Sequence, residues 1–262
     1  MPNELDQDHV KALVGEIITL RDHSDYRITD VFLSRGERWE PSAEQVVSNP
    51  KYKGTVLKKY LDLNGVGTAP DIRLFYSVLK DHARSEKIPL PHEQEVVVHL
   101  RLGDVVVHDW YLSKDYVQEI SRMLAENPEI NTLSIVTCFV YAEWSEESLH
   151  LRKKSPLWVY TEEKQTQNVT AITTLLSSIR SAFPQLRIKI VSNSDIDCDI
   201  AYCVFSKSFI KDHGGISNLI MILHRYHLSR KNVFSRFKYH LHSLLTDENK
   251  MRKGGRLIRM EV

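Results

Sequence analysis

From residue 95 onward the chain alternates short apolar runs with longer amphipathic stretches, and that alternation predicts strands and helices in turn. The run "EVVVHL" predicts a strand at 95–100, and "SKDYVQEISRMLAENP" predicts a helix that Ser113 can cap. A second strand is expected in "TLSIVTCF", Thr132 to Phe139. Tyr141 to Gln165 is polar and carries tryptophan, which suggests an excursion or lid. The helix "NVTAITTLLSSIRSAFP" then leads to a third strand, "LRIKIVS", and a short fourth, "AYCVF", ahead of the helix "GISNLIMILHRYHLS". Strands separated by helices of 10 to 15 residues imply βαβ units and a parallel, Rossmann-like sheet.

The first ninety residues are less regular. In "DQDHVKALVGEIITL" a helix is plausible, although β-branched residues gather at its end and Gly15 can separate a helix from a short strand. In "DIRLFYSVLKDHARSEK" the apolar residues Ile72, Phe75, Val78 and Leu79 have helical spacing, which predicts an amphipathic helix broken off by Pro89 and Pro91.

Composition changes this picture little. At 262 residues the chain suffices for one large domain or two small ones, and 42% hydrophobic with 26% charged residues is ordinary globular composition. A net charge of +1, from 35 basic and 34 acidic residues, carries no electrostatic footprint for nucleic acid. No run approaches the roughly 18 apolar residues of a membrane span, and "MPNELDQDHV" lacks the pattern of a signal peptide. Cys138, Cys198 and Cys203 are odd in number, and Cys138 lies in an apolar run. The expectation is a reducing, cytoplasmic setting, in which the sequon Asn168-Val169-Thr170 is fortuitous.

Candidate chemistry gathers at two places. In "HLRLGD", His99, Arg101, Gly103 and Asp104 follow directly on a buried strand. An arginine there offers a planar fork of donors matched to phosphate oxygens, and Gly103 allows a tight turn beside a ligand. The plain structural alternative pairs Arg101 with Asp104 across the turn and leaves His99 as a core residue. The second place is "VSNSDIDCDIAYCVFSKSFIKDHGGISNLI", where Asp195 follows a strand and Gly214, Gly215 and Ser217 stand at a helix start. Unpaired backbone N–H groups and the helix dipole favour an anion at such a start, although a plain capped helix reads the same way. Neither a Gly-x-Gly-x-x-Gly fingerprint nor a P-loop is present.

"HLRLGD" resembles the His-x-Arg-x-Gly-Asp motif of the fucosyltransferase superfamily, and the second stretch resembles that superfamily's nucleotide-binding motif. The resemblance covers roughly residues 95 to 228 in the family's order and spacing. It implies an α/β, GT-B-like fold, with an abbreviated acceptor-side region at 1–92 and a Rossmann-like donor domain at 93–262. It further implies an inverting, metal-independent transfer of a deoxyhexose, L-fucose first, from a GDP-sugar to a glycan hydroxyl, with no cofactor. Arg101 would hold the diphosphate and neutralise the leaving group, His99 would line the ribose or diphosphate, and Ser217 with the amides around Gly214 and Gly215 would grip phosphate. Asp104 is the nearest candidate for the general base. Asp195 would face the base, and a carboxylate there suits the paired N–H donors of guanine better than the single one of uracil.

The chain departs from the family in two places. It has no Gly-Gly-x-x-Asn loop near its start, and Leu102 stands where a second arginine is common. A UDP-sugar donor, or an inactive module that binds nucleotide-sugar or glycan, therefore stays open. Other clusters are thinner. His224, His227, His240 and His242 lack the partners of a metal site, although Asp195-Ile196-Asp197 has the Asp-x-Asp form. Trp144, Trp158 and Tyr160 can stack on a sugar or simply anchor a loop.

Overall fold

The computed structural model describes residues 16–18, 43–100, 115–137, 162–191, 196–212 and 215–231. Within them lie strands β1 (Glu16–Ile18), β2 (Glu95–His99), β3 (Thr132–Val136), β4 (Arg187–Val191) and β5 (Ser208–Ile210). The α-helices are α1 (Ala43–Ser48), α2 (Val56–Asn64), α3 (Ile72–Ser85), α4 (Tyr116–Glu126), α5 (Glu162–Ala182), α6 (Ile196–Val204) and α7 (Gly215–Lys231). The strands form one parallel sheet in the order β1-β4-β3-β2-β5. From β2 the chain steps outward to β3 and β4, then returns past β2 to lay down β5 on its other side. The strand order reverses between β2 and β5. In an open α/β sheet the carboxyl ends of two such strands border a crevice suited to ligands.

The sheet is covered on both faces, which is why its strands read as nearly continuous apolar runs. Val96, Val98, Leu133, Ile135 and Ile190 pack with Tyr116 and Ile120 of α4 and Leu176 and Ile179 of α5. Val97, Val136, Val191 and Phe209 point the other way, into a core shared with Tyr60, Phe75, Leu79, Ile200 and Leu219. Each fully buried side chain of this kind contributes roughly 2 kcal/mol of transfer free energy.

Local signals account for the helices. Asp71 caps α3 by accepting from the Arg73 and Leu74 amides, and Phe75, Tyr76, Val78, Leu79 and His82 form its buried face. Thr55 caps α2 by accepting from Lys58 N. The same helix stops at Gly65, whose φ of 84° suits a residue without a Cβ.

Three expectations change. The strand expected in "AYCVF" is instead the end of α6, and the fourth strand of this half is "SFI". Residues 197 to 204 are buried except Asp199, so the segment shows no polar face to mark it as helix. Helix α5 begins at Glu162, inside the segment expected to be an excursion. The cap of α4 is Asp115, which accepts from Gln118 N; Ser113 lies outside the described residues, as does the expected strand end at Cys138 and Phe139. Contacts cross the division expected at residues 92 and 93. β1 pairs with β4, and α2 and α3 share a core with α6 and α7.

Candidate functional site

His99 is the last residue of β2, and α7 begins a few residues beyond the end of β5. The two meet at the reversal of strand order. His99 Nδ1 lies 2.5 Å from Ser217 Oγ, in the first turn of α7. The same oxygen accepts from the backbone N–H of Asp212 at 3.2 Å. Asp212 in turn accepts a short hydrogen bond from the Tyr116 hydroxyl at the start of α4. Beside them Lys211 Nζ donates to Asn218 Oδ1 at 3.0 Å. Residues from β2, α4, the exit of β5 and α7 therefore converge on one point.

Burial separates their roles. Ser217 is fully buried and Asp212 and Tyr116 nearly so, whereas His99 is half-buried. Ser217 is engaged wholly within the protein, so its hydroxyl is neither an exposed nucleophile nor turned to a ligand. Helix α7 runs for 17 residues with no acidic residue in its first turn, so the positive end of its dipole is not offset from within the helix. Such an arrangement favours an anion beside His99, held by main-chain N–H groups and an imidazole.

Of the residues expected to carry chemistry, His99, Gly215 and Ser217 are brought together here. Arg101, Gly103, Asp104, Asp195 and Gly214 lie outside the described residues, as do Trp144, Trp158, Tyr160, His240 and His242. In the chain, Arg101 comes two residues after the end of β2, Asp195 directly precedes α6, and Gly214 directly precedes α7.

Asp197 has a structural assignment that its sequence context conceals. It is 1% exposed, and its Oδ2 accepts from Val56 N, the first amide of α2, at 2.9 Å. His82 Nε2 is 3.9 Å from the same oxygen, and Lys59 Nζ reaches His82 Nδ1 at 3.2 Å. The second carboxylate of Asp195-Ile196-Asp197 thus ties α6 to the helices before β2. His224 Nδ1 and His227 Nδ1 pair with Val204 O at 3.1 Å and with the Tyr76 hydroxyl at 2.8 Å. Among the described residues no group of three or more His, Cys, Asp and Glu side chains is placed to hold a metal ion.

Tyr116 and Asp212 escaped the sequence analysis. Asp212 had a signal, since a carboxylate closes "SFIKD" just past a strand; Tyr116 had none, because an aromatic residue at a helix start reads as core.

No protein-family model matches the chain, and no curated protein or solved structure is significantly similar to it. Among the described residues, no helix is long and apolar enough to cross a membrane.

Proposed function

We propose that the chain is an inverting, metal-independent glycosyltransferase that moves a deoxyhexose, with L-fucose favoured, from a GDP-sugar to a glycan hydroxyl. The observation that carries this reading is the meeting of His99 with the first turn of α7 at the reversal of strand order. That is the place where nucleotide phosphates bind open α/β sheets. The arginine of the His-x-Arg-x-Gly-Asp motif follows His99 by two residues, which puts a phosphate-binding side chain next in the chain to this point.

In this reading the acceptor oxygen attacks the anomeric carbon while the bond from that carbon to the β-phosphate oxygen breaks. The bonding pair leaves with GDP. Arg101 and the α7 amides stabilise the charge that builds on that oxygen, so they act more strongly on the transition state than on the bound donor. The acceptor's proton passes to a base, for which Asp104 is proposed. Asp195 selects guanine. No divalent cation is called for, since arginine and helix N–H groups answer the phosphate charge and Asp197 is committed to Val56.

A panel of GDP- and UDP-sugars read by release of nucleotide diphosphate, with and without glycan acceptors, tests the proposal. GDP release from GDP-fucose, accelerated by acceptor and unaffected by chelator, is the expected result. The absence of a Gly-Gly-x-x-Asn loop near the start supports a second reading, a module that binds nucleotide-sugar without turnover. Saturable GDP-sugar binding with no release from any donor would favour it. UDP outcompeting GDP by more than about tenfold, roughly 1.4 kcal/mol, would overturn the choice of donor.

A further inference from the structure

Ser217 Oγ is fully buried and has two hydrogen-bond neighbours among the described residues: the Asp212 amide at 3.2 Å and His99 Nδ1 at 2.5 Å. An amide N–H can only donate, so Asp212 occupies a lone pair of the hydroxyl. The hydroxyl proton is then left with Nδ1 as its acceptor. If Nδ1 carried a proton, Oγ would have to accept twice and its own hydrogen would be buried without a partner, which folded proteins avoid. An Nδ1 that accepts is unprotonated, so the ring proton is on Nε2.

We infer that Ser217 fixes His99 as the neutral Nε2–H tautomer, so that the Nε2 edge of the ring is a hydrogen-bond donor rather than a base. Ser217 is a positioning residue in this arrangement, and Asp212 and Tyr116 position it in turn. The Asp212 amide settles which way the hydroxyl points. The Tyr116 hydroxyl holds the Asp212 carboxylate. Of the charged side chains following β5, Lys211 is engaged by Asn218 and Asp212 by Tyr116. A fixed N–H donor at this point matches an anionic oxygen of the ligand. That part of the inference rests on the proposed nucleotide site; the tautomer does not.

The test is long-range proton–nitrogen NMR of the imidazoles in the full chain near neutral pH, with the His99 signal assigned by its loss in His99→Gln. A protonated Nε2 with an unprotonated Nδ1 is expected in the wild type. Ser217→Ala should replace that signature with a mixture of tautomers. A His99 that carries its proton on Nδ1, or on both nitrogens, overturns the inference without recourse to any variant. A pure Nε2–H signal that survives Ser217→Ala also overturns it, because something other than Ser217 is then responsible. Titration with GDP forms a separate arm: His99→Leu should weaken binding about tenfold, as expected for one hydrogen bond to a charged oxygen. GDP failing to bind a wild type with the Nε2–H signature removes the nucleotide and keeps the fixed donor. GDP binding to a wild type with Nδ1–H does the reverse.

Discussion

Strand β2 carries a polar side chain at each end, Glu95 and His99, and the fold treats the two in opposite ways. Both lie on the face of Val97, since side chains two and four residues apart along a strand share a face. Glu95 is fully buried and saturated. Its Oε1 accepts from Ser134 Oγ and from the Tyr202 hydroxyl, each at 2.5 Å, and its Oε2 from Lys189 Nζ at 3.0 Å and His92 N at 3.3 Å. Burial by itself would push the Glu95 carboxyl up, yet the bonds from Ser134, Tyr202 and Lys189 outweigh it and hold the carboxyl below its ordinary value. Burial and the bond to Glu95 push the Tyr202 hydroxyl up, which keeps it a donor.

His99 is half-buried and bonded on its Nδ1 side to a hydroxyl that the fold has oriented. A carboxylate inside the sheet must have every acceptor site filled, because an uncompensated buried charge is costly. The same strand thus starts in a closed, fully buried network and ends on a half-buried side chain at its carboxyl end, where α/β sheets bind ligands.

The largest expected effect tests the closed end. Glu95→Ala strands the Lys189 ammonium and two hydroxyls, and should cost about 3–5 kcal/mol in urea unfolding. Folded Glu95→Ala should still bind GDP normally; loss of affinity out of proportion to unfolding would break the distinction between the two ends. Arg101→Ala is expected to behave in the opposite way, with little change in unfolding and a loss of about 3 kcal/mol in transition-state stabilisation, a hundredfold or more in kcat/KM. An Arg101→Ala protein that unfolds instead would assign that arginine to a structural ion pair.

Asp197→Ala removes a second buried carboxylate, on α6. It leaves the buried Val56 amide without its acceptor and should destabilise by about 2 kcal/mol, measured in the same unfolding titration. Activity of the folded fraction should show no metal dependence in either protein. Restoration by magnesium or manganese after chelation would mean that Asp195-Ile196-Asp197 holds an ion after all.

The smallest effect is the dependence of stability on pH. The Glu95 carboxyl is lowered in the folded protein, so its contribution is present above the pKa of the unfolded chain and is lost as pH falls through the folded value. Stability should therefore decline on the acid side. In Glu95→Gln the decline should be shallower; equal acid slopes for the two proteins would show that other carboxylates carry it.

Much of this was legible beforehand because it depends on neighbours in the chain. The buried runs of β2, β3 and β4, the amphipathic helix at 72–85 and the glycines before the last long helix all declare themselves within a dozen residues. Local periodicity and turn chemistry act over that range. His99 and Ser217 were candidates on the same ground, each standing at the end or beginning of an element. Where a segment is enclosed on all sides the signal fails, and 201–205 reads as a strand although 201–204 are the end of α6.

The alternation of elements and the residue types that stand at their ends are thus properties of short stretches of chain. Tertiary structure decided which of those ends meet. His99 and Ser217 are 118 residues apart in the chain, Tyr116 and Asp212 are 96 apart, and Val56 and Asp197 are 141 apart. No local pattern encodes such pairs. They arise because the sheet reverses its strand order between β2 and β5, and because each polar group buried in the process needs a partner that only the folded chain can supply.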